Sequence, residues 1–350
     1  MHFSYERIPV VLLTGFLGSG KTTLLNRVLG AGVGGTTTLV LLNEYGEVGI
    51  DHHLVADLPG EHVLLSAGCV CCTMRSDLLT ALDDAYRARQ RGTLPPFERV
   101  VVETTGVANP IPLVAALGPT SPLSASYRLA RIITCADVGH LEAQLATGPE
   151  PALQVAVADA VVLTKLPAEG APDAVVDAIT GLQPTALLLG ADAPDDLLEA
   201  LFRGDGEVEA SFDELEARLD GTGRPPAAAH PYRAYAFELP SRVDVTAFRA
   251  WLRAFVTCAG EPFLRLKAIV HPADETQGWV FHGVRHVLYP PTRLPARARA
   301  PGVLVLIGQE LSEAYVDALR AALRGFAAPE PSPRRRRGSR SLEDAVEKRT

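Results

Sequence analysis

The residues Gly15-Phe16-Leu17-Gly18-Ser19-Gly20-Lys21-Thr22 decide the fold. They match the spacing G-x-x-x-x-G-K-[ST], with an apolar run, Ile8–Thr14, before them and a Leu-rich helical stretch from Thr23 to Leu29 after them. A strand, a glycine turn and a helix in that order make a phosphate-binding loop. Gly15, Gly18 and Gly20 let successive backbone N–H groups curl around phosphate oxygens at a helix N-terminus, and Ser19 and Thr23 belong to the same nucleotide-contacting stretch. The Lys21 ammonium reaches the β- and γ-phosphates, and the Thr22 hydroxyl ligates Mg²⁺.

Outward from this loop, short apolar runs alternate with helical periodicity through the first two hundred residues. Candidate strands are Ile8–Thr14, Thr37–Asn43, His62–Ser66, Arg99–Glu103, Ala130–Thr134, Ala160–Thr164 and Thr185–Leu189. Such alternation predicts an α/β fold, the doubly wound, mostly parallel sheet of P-loop NTPases. Between the third and fourth runs, Leu78, Leu79, Leu82, Ala85 and Tyr86 recur at helical spacing and mark a crossover helix. The stretch Gly221–Pro226, reading GTGRPP, breaks the pattern and reads as a linker. Beyond it, strands at Tyr232–Leu239, Arg265–His271, Gly278–His282, Arg285–Leu288 and Val303–Ile307, with helices from Asp244 and Ser312, predict a smaller α+β domain. The domain plan is therefore 1–222 for nucleotide binding, 228–326 for the α+β domain and 327–350 for a disordered, Arg-rich tail. Removing the tail after Phe326 should leave melting temperature and turnover nearly unchanged, because its composition gives it nothing to bury. A drop of several degrees would show that it docks.

The 350 residues give room for two domains, and 47% hydrophobic with 21% charged residues is ordinary for a globular chain. Lysine and arginine number 33 against 41 acidic residues, a formal net charge of −8, which speaks against a body built to coat nucleic acid or anionic membrane. No run approaches the ~18 apolar residues of a membrane span, and Ile8–Leu13 leads into a glycine loop instead of a cleavage site. A cytoplasmic location is expected, with no membrane or nucleic-acid partner. Three of the five cysteines crowd into Cys69, Cys71 and Cys72, which suits thiolate chemistry in a reducing compartment better than disulfides.

Glu103-Thr104-Thr105-Gly106 ends the run Val100-Val101-Val102, and ligands of doubly wound sheets bind at that strand edge. There Glu103 can hold the water shell of Mg²⁺, and the Gly106 N–H can approach the γ-phosphate and register its loss. The group Gly68-Cys69-Val70-Cys71-Cys72 offers soft thiolates close enough to share one transition metal. No second cysteine pair lies at zinc-ribbon spacing, so the site reads as open and suited to transient metal. Cys135 and Cys258 read as core residues. Glu44, in Asn43-Glu44-Tyr45-Gly46-Glu47, faces either metal or nucleotide, and His52-His53 reads as a solvated pair.

The segments GFLGSGKTT, NEYGEVGIDHHLV, GCVCCTMRSDL and ETTGVANP, in this order and spacing, resemble the CobW-type metallochaperone GTPases, relatives of the nickel-insertion GTPases of hydrogenase and urease. RLKAIVHPADETQGWVFHGVRHVLYP and VLVLIGQEL resemble that family's C-terminal domain, so the likeness spans residues 7 to 325. It implies GTP hydrolysis coupled to delivery of a metal, often Zn²⁺ and sometimes Co²⁺ or iron, to a client metalloprotein. It also implies that Cys69, Cys71 and Cys72 match the family's CxCC motif, with Glu44 as an additional ligand.

Two departures stand out. The family's base-reading motif, Asn or Thr, then Lys, any residue and Asp, falls on Thr164-Lys165-Leu166-Pro167. A carboxylate there accepts from guanine N1–H and N2–H₂, which Pro167 cannot do. Either Glu169 substitutes from a shifted loop or guanine selectivity is weak, and a modest preference for GTP is the expectation. Asn109 stands where the family usually has Asp. Two other readings fit the same residues less closely: a nucleotide-gated metal sensor or store in which hydrolysis is incidental, and an ATP-using P-loop kinase.

Overall fold

The computed structural model describes residues 7–31, 37–42, 62–66, 74–203, 231–260, 262–294 and 301–328. The first sheet has seven strands: β1 (Ile8–Thr14), β2 (Thr38–Leu42), β3 (His62–Ser66), β4 (Arg99–Glu103), β5 (Tyr127–Asp137), β6 (Ala160–Thr164) and β7 (Leu187–Gly190). Their order is β3-β2-β4-β1-β5-β6-β7 and every pairing is parallel. Parallel neighbours need crossovers, and the helices that supply them bury the sheet on both faces, which is why its strands read as unbroken apolar runs. One face packs Val11, Leu13, Val40 and Val162 against Leu24, Leu25 and Val28 of α1 (Lys21–Gly30). The other packs Val10, Leu12, Val100 and Val102 against Leu78 and Leu82 of α2 (Met74–Gln90) and Leu113 of α3 (Ile111–Ala116).

The strand β5 runs three residues further at each end than the expected Ala130–Thr134: it pairs with β1 from Tyr127 to Thr134 across a register shift at Ala130, and with β6 as far as Asp137. After β5 come the short helices α4 (Leu141–Leu145) and α5 (Pro149–Ala156), then α6 (Asp173–Leu182) between β6 and β7, and α7 (Asp195–Arg203) after β7. A fully buried pair anchors α7: Arg99 Nη1 donates to Glu199 Oε1 at 2.5 Å, while Arg99 Nε donates to Thr38 Oγ1 at 2.6 Å.

The second sheet is antiparallel, formed by β8 (Tyr232–Glu238), β9 (Phe263–Val270), β10 (Trp279–Val284), β11 (Val287–Leu288), β12 (Thr292–Arg293) and β13 (Val303–Gln309). Its order is β11-β10-β9-β13-β8, with β12 on β10. Period-two alternation divides its side chains between two cores. Leu304 and Leu306 face Phe248 and Leu252 of α8 (Val245–Cys258) and Leu319 and Leu323 of α9 (Glu313–Arg324), whereas Val303, Val305 and Ile307 join the core of the parallel-sheet domain. Asp244 and Ser312 cap the two helices by accepting backbone N–H bonds, as their positions in the sequence suggest.

The expectation that Cys258 is a core residue is wrong. It is exposed, because it lies two residues, about 200° of helix, beyond the inward-facing Val256. Cys135 is buried. The expected linker Gly221–Pro226 and the Arg-rich segment lie outside the described residues. Pairing continues past Phe326, since Ala327 bridges Val243 and the Ala328 N–H donates to Arg242 O at 2.9 Å. The tail deletion therefore belongs after Ala328.

Candidate functional site

The glycine loop turns from β1 into α1 with φ of +138° at Gly15, +69° at Gly18 and +83° at Gly20, left-handed conformations that glycine adopts at little cost. Gly15 is also fixed by space: a Cβ would stand 2.4 Å from Cys135 O. Lys21 Nζ donates to Gly15 O at 2.9 Å and Phe16 O at 3.2 Å, so its ammonium sits inside the curl of the loop. Burial pulls its pKa below the ordinary lysine value, and Glu103 offsets part of that pull. A phosphate's negative charge in this position restores what burial takes away from the ammonium.

Thr22 Oγ1 donates to Glu103 Oε1 at 2.6 Å, although 81 residues separate them. The contact follows from register: β1 and β4 pair in parallel with Leu13 opposite Glu103, so the carboxylate ends its strand beside the start of α1. A hard divalent cation held by Thr22 and phosphate oxygens has that carboxylate within reach of its water shell. Ser19 is buried in the same loop, and Thr23 is exposed on the first turn of α1.

Next comes the segment after β4. Gly106 approaches the glycine loop so closely that a Cβ would stand 2.6 Å from Leu17 N, so no other residue fits without moving backbone. Gln154 of α5, which sequence patterning does not single out, fixes this segment from below. Its Nε2 donates to Gly106 O at 3.1 Å and Ala108 O at 3.0 Å. Asn109 Oδ1 accepts from the Ile111 N–H at 2.9 Å, a contact that needs only an acceptor oxygen, which aspartate also carries.

The loop after β6 is locked onto the same edge. Thr164 Oγ1 lies 2.8 Å from Ser19 O and 3.2 Å from Ala136 O, its one proton bridging the glycine loop and β5. Lys165 adopts φ +53°, and its Nζ donates to Asp137 Oδ2 at 2.8 Å. Burial alone would raise the Asp137 carboxyl, but hydrogen bonds with Lys165, His140 and the Gly139 N–H hold it below its ordinary value. Gly15, Gly18, Ser19, Gly20, Lys21, Thr22, Glu103, Gly106, Thr164 and Lys165 thus share one sheet edge.

Glu44, Cys69, Cys71 and Cys72, with Asn43 and His52-His53, lie outside the described residues. Among the described residues no three His, Cys, Asp or Glu side chains gather as a metal site. Burial pushes the Cys135 thiol up to about 12, which leaves it inert.

This geometry can be set beside known proteins. Residues 9–182 match the nucleotide-binding domain of CobW/HypB/UreG, and residues 232–327 match the C-terminal domain of cobalamin synthesis protein CobW. The chain belongs to the CobW family. Over 319 residues, 91% of this chain and 99% of the relative, it is 28% identical to the zinc chaperone YjiA of Escherichia coli. Over 167 residues it is 36% identical to the zinc-regulated GTPase metalloprotein activator 1 of Schizosaccharomyces pombe, a match covering 46% of this chain and 39% of that one. Among solved structures, Zn(II)-bound YjiA GTPase from E. coli superposes with a TM-score of 0.63 at 25% identity, covering 91% of this chain and 99% of that one. No helix among the described residues of this CobW-family chain is long and apolar enough to cross a membrane.

Proposed function

We propose that this protein is a GTP-hydrolysing metallochaperone that carries a zinc ion as cargo and passes it to a client metalloprotein according to nucleotide state. The observation that carries the reading is the Thr22–Glu103 contact beside the glycine loop, which sets a hydroxyl to ligate Mg²⁺ on a triphosphate next to a carboxylate for its water shell. Lys21 neutralises charge on the β- and γ-phosphates. Gly106, pressed against Leu17 and tied through its carbonyl to Gln154, is the segment that senses the γ-phosphate. Mg²⁺, when bound, polarises the phosphate being transferred.

Zinc fits the donor set of Cys69, Cys71 and Cys72, with Glu44 as a further oxygen ligand, because three thiolates and one carboxylate suit a d¹⁰ ion. The backbone supports the grouping: β2 and β3 end side by side, Leu42 opposite Ser66, and Glu44 and Cys69 follow those ends by two and three residues. Kinship with proteins named zinc chaperones supports zinc ahead of Co²⁺ or Ni²⁺. Open thiolates need a reducing compartment, which argues for the cytoplasm. In this reading the parallel-sheet domain, 1–222, processes nucleotide, and the domain at 228–326 meets the client.

Turnover of GTP and ATP, each with and without Zn²⁺, Co²⁺ or Ni²⁺, tests the proposal. GTP turnover that responds to Zn²⁺ is expected, and turnover indifferent to every metal would refute the coupling. Cys71→Ser with Cys72→Ser should abolish stoichiometric Zn²⁺ binding and the metal response, while GTP affinity stays within about twofold, since the phosphate loop Gly15–Thr22 contains no cysteine. Retention of one Zn²⁺ at wild-type affinity in the double variant would place the cargo elsewhere.

A further inference from the structure

Guanine recognition lacks its expected carboxylate because Pro167 occupies the position, and the structure offers three replacements near the loop after β6. Asp137 is one, but it is buried, and its two oxygens already accept from Lys165, His140 and the Gly139 N–H. Glu169, the substitute suggested by sequence proximity, is exposed on the turn that the Gly170 N–H closes onto Pro167 O at 3.0 Å. The third is Asp192, just beyond β7.

The end of β7 lies beside the end of β6, Gly190 opposite Leu163, and the Ala191 N–H continues the pairing by donating to Leu163 O at 2.7 Å. The Asp192 side chain, exposed like that of Glu169, folds back over Gly190 beside Leu166 of the loop after β6. Its Oδ1 stands 2.1 Å, and Leu166 Cδ1 2.7 Å, from the point a Cβ on Gly190 would occupy. The missing side chain of Gly190 is therefore the space that the Asp192 carboxylate and Leu166 share. Arg27 of α1 fixes the backbone on either side, donating to Ala191 O, to Ala193 O at 2.8 Å and to Asp195 Oδ1 at 2.9 Å. Among the described residues no hydrogen bond or ion pair occupies the Asp192 carboxylate itself.

Strand order gives the base its direction. Phosphates sit on the loop after β1, and the loops after β5, β6 and β7 succeed one another outward along the same edge. Thr164 touches the glycine loop, so a base extending from the phosphates passes over Lys165 and reaches the ends of β6 and β7. We propose that Asp192 supplies the carboxylate that accepts from guanine N1–H and N2–H₂, in place of the aspartate that Pro167 displaces. The Lys165 stem, held by Asp137, covers one face of the base. This assignment rests on the GTP reading of the same site.

Asp192→Asn separates the alternatives by chemistry. A carboxylate pairs with the two donor positions of guanine, whereas an amide pairs with the N1–H and the C2 carbonyl of xanthine. The variant should lose about 10- to 100-fold in GTP affinity and gain affinity for xanthosine triphosphate, a shift that a merely structural role would not produce. Gly190→Ala should narrow the GTP/ATP ratio in the same direction by pushing the carboxylate aside, and Glu169→Gln should leave it unaltered. Competition binding of GTP, ATP and xanthosine triphosphate to the full chain reads all of these. If wild-type protein binds GTP and Asp192→Asn keeps the wild-type ratios, or if Glu169→Gln alone shifts them, the Asp192 assignment is overturned while the function stands. Wild-type protein that binds none of the three overturns both.

Discussion

Asp159→Ala should lower the melting temperature by on the order of 10 °C. Asp159 immediately precedes β6 and forms a salt bridge with Arg265 of β9, across the junction of the two domains. Arg265 is fully buried: one of its terminal nitrogens donates to the Asp159 carboxylate and the other to Val157 O at 2.8 Å. Tyr289 Oη donates to Asp159 Oδ2 at 3.1 Å, and the Ile132 N–H donates to the same oxygen at 2.7 Å. Removing the carboxylate strands a buried guanidinium, which costs about 3–5 kcal/mol, more than the pair contributes relative to an apolar replacement. Asp159→Leu with Arg265→Met should accordingly recover most of the loss, and a double variant as unstable as the single one would show that stranded charge is not the cause. Calorimetry of the three proteins decides it.

The same pair sets an acid limit. Burial by itself would raise the Asp159 carboxyl, but Arg265, by charge and hydrogen bond, outweighs it and holds the group below the ordinary value of 3.8. A carboxyl depressed on folding contributes stability that is fully present above the unfolded value and is lost as pH falls through the folded one. Melting temperature should therefore fall more steeply below about pH 4 in the wild type than in the double variant carrying both apolar replacements, with the two converging in acid.

What the sequence makes legible follows from how each feature is encoded. The glycine loop is local, so its spacing announces it, and Glu103 is legible because a carboxylate ending an apolar run in a parallel sheet must lie at the ligand edge. The sequence places Thr22 and Glu103 at one sheet edge, and a hydrogen bond joins them there. Gln154 gives no such signal: it lies in an apolar helical stretch, 48 residues from the carbonyl it holds, and nothing periodic links the two. Arg265 and Asp159, 106 residues apart, escape for the same reason. Arg265 looks like a surface charge in an alternating strand until the second face of that sheet is known to be buried too. Cys258 shows the converse error, where residue type was taken for burial and helical phase decided otherwise. The guanine contact proposed for Asp192 gives no signal in the motif, which locates its carboxylate by position along the chain, whereas a neighbouring strand end offers one through space.

Lys21→Ala should abolish GTP engagement, with affinity reduced by at least about 10- to 100-fold and hydrolysis lost, while Zn²⁺ binding by the thiolates is unchanged. Two effects act together. The ammonium is the loop's one basic side chain, and a charge-assisted contact to phosphate is worth ~1.5–3 kcal/mol before any enhancement by burial. The same nitrogen also donates to Gly15 O and Phe16 O, so truncation leaves two inward-facing carbonyls pointing at the space where phosphate must sit. Lys21→Arg should not rescue binding. Only 8% of Lys21 is exposed, and a planar guanidinium cannot replace a compact ammonium in a curl of that size. Titration of folded Lys21→Ala and Lys21→Arg proteins with GTP, alongside Zn²⁺ binding on the same samples, checks this. Wild-type GTP affinity in either would mean that the backbone amides of the loop suffice to hold the triphosphate, and the role given to Lys21 would have to be abandoned.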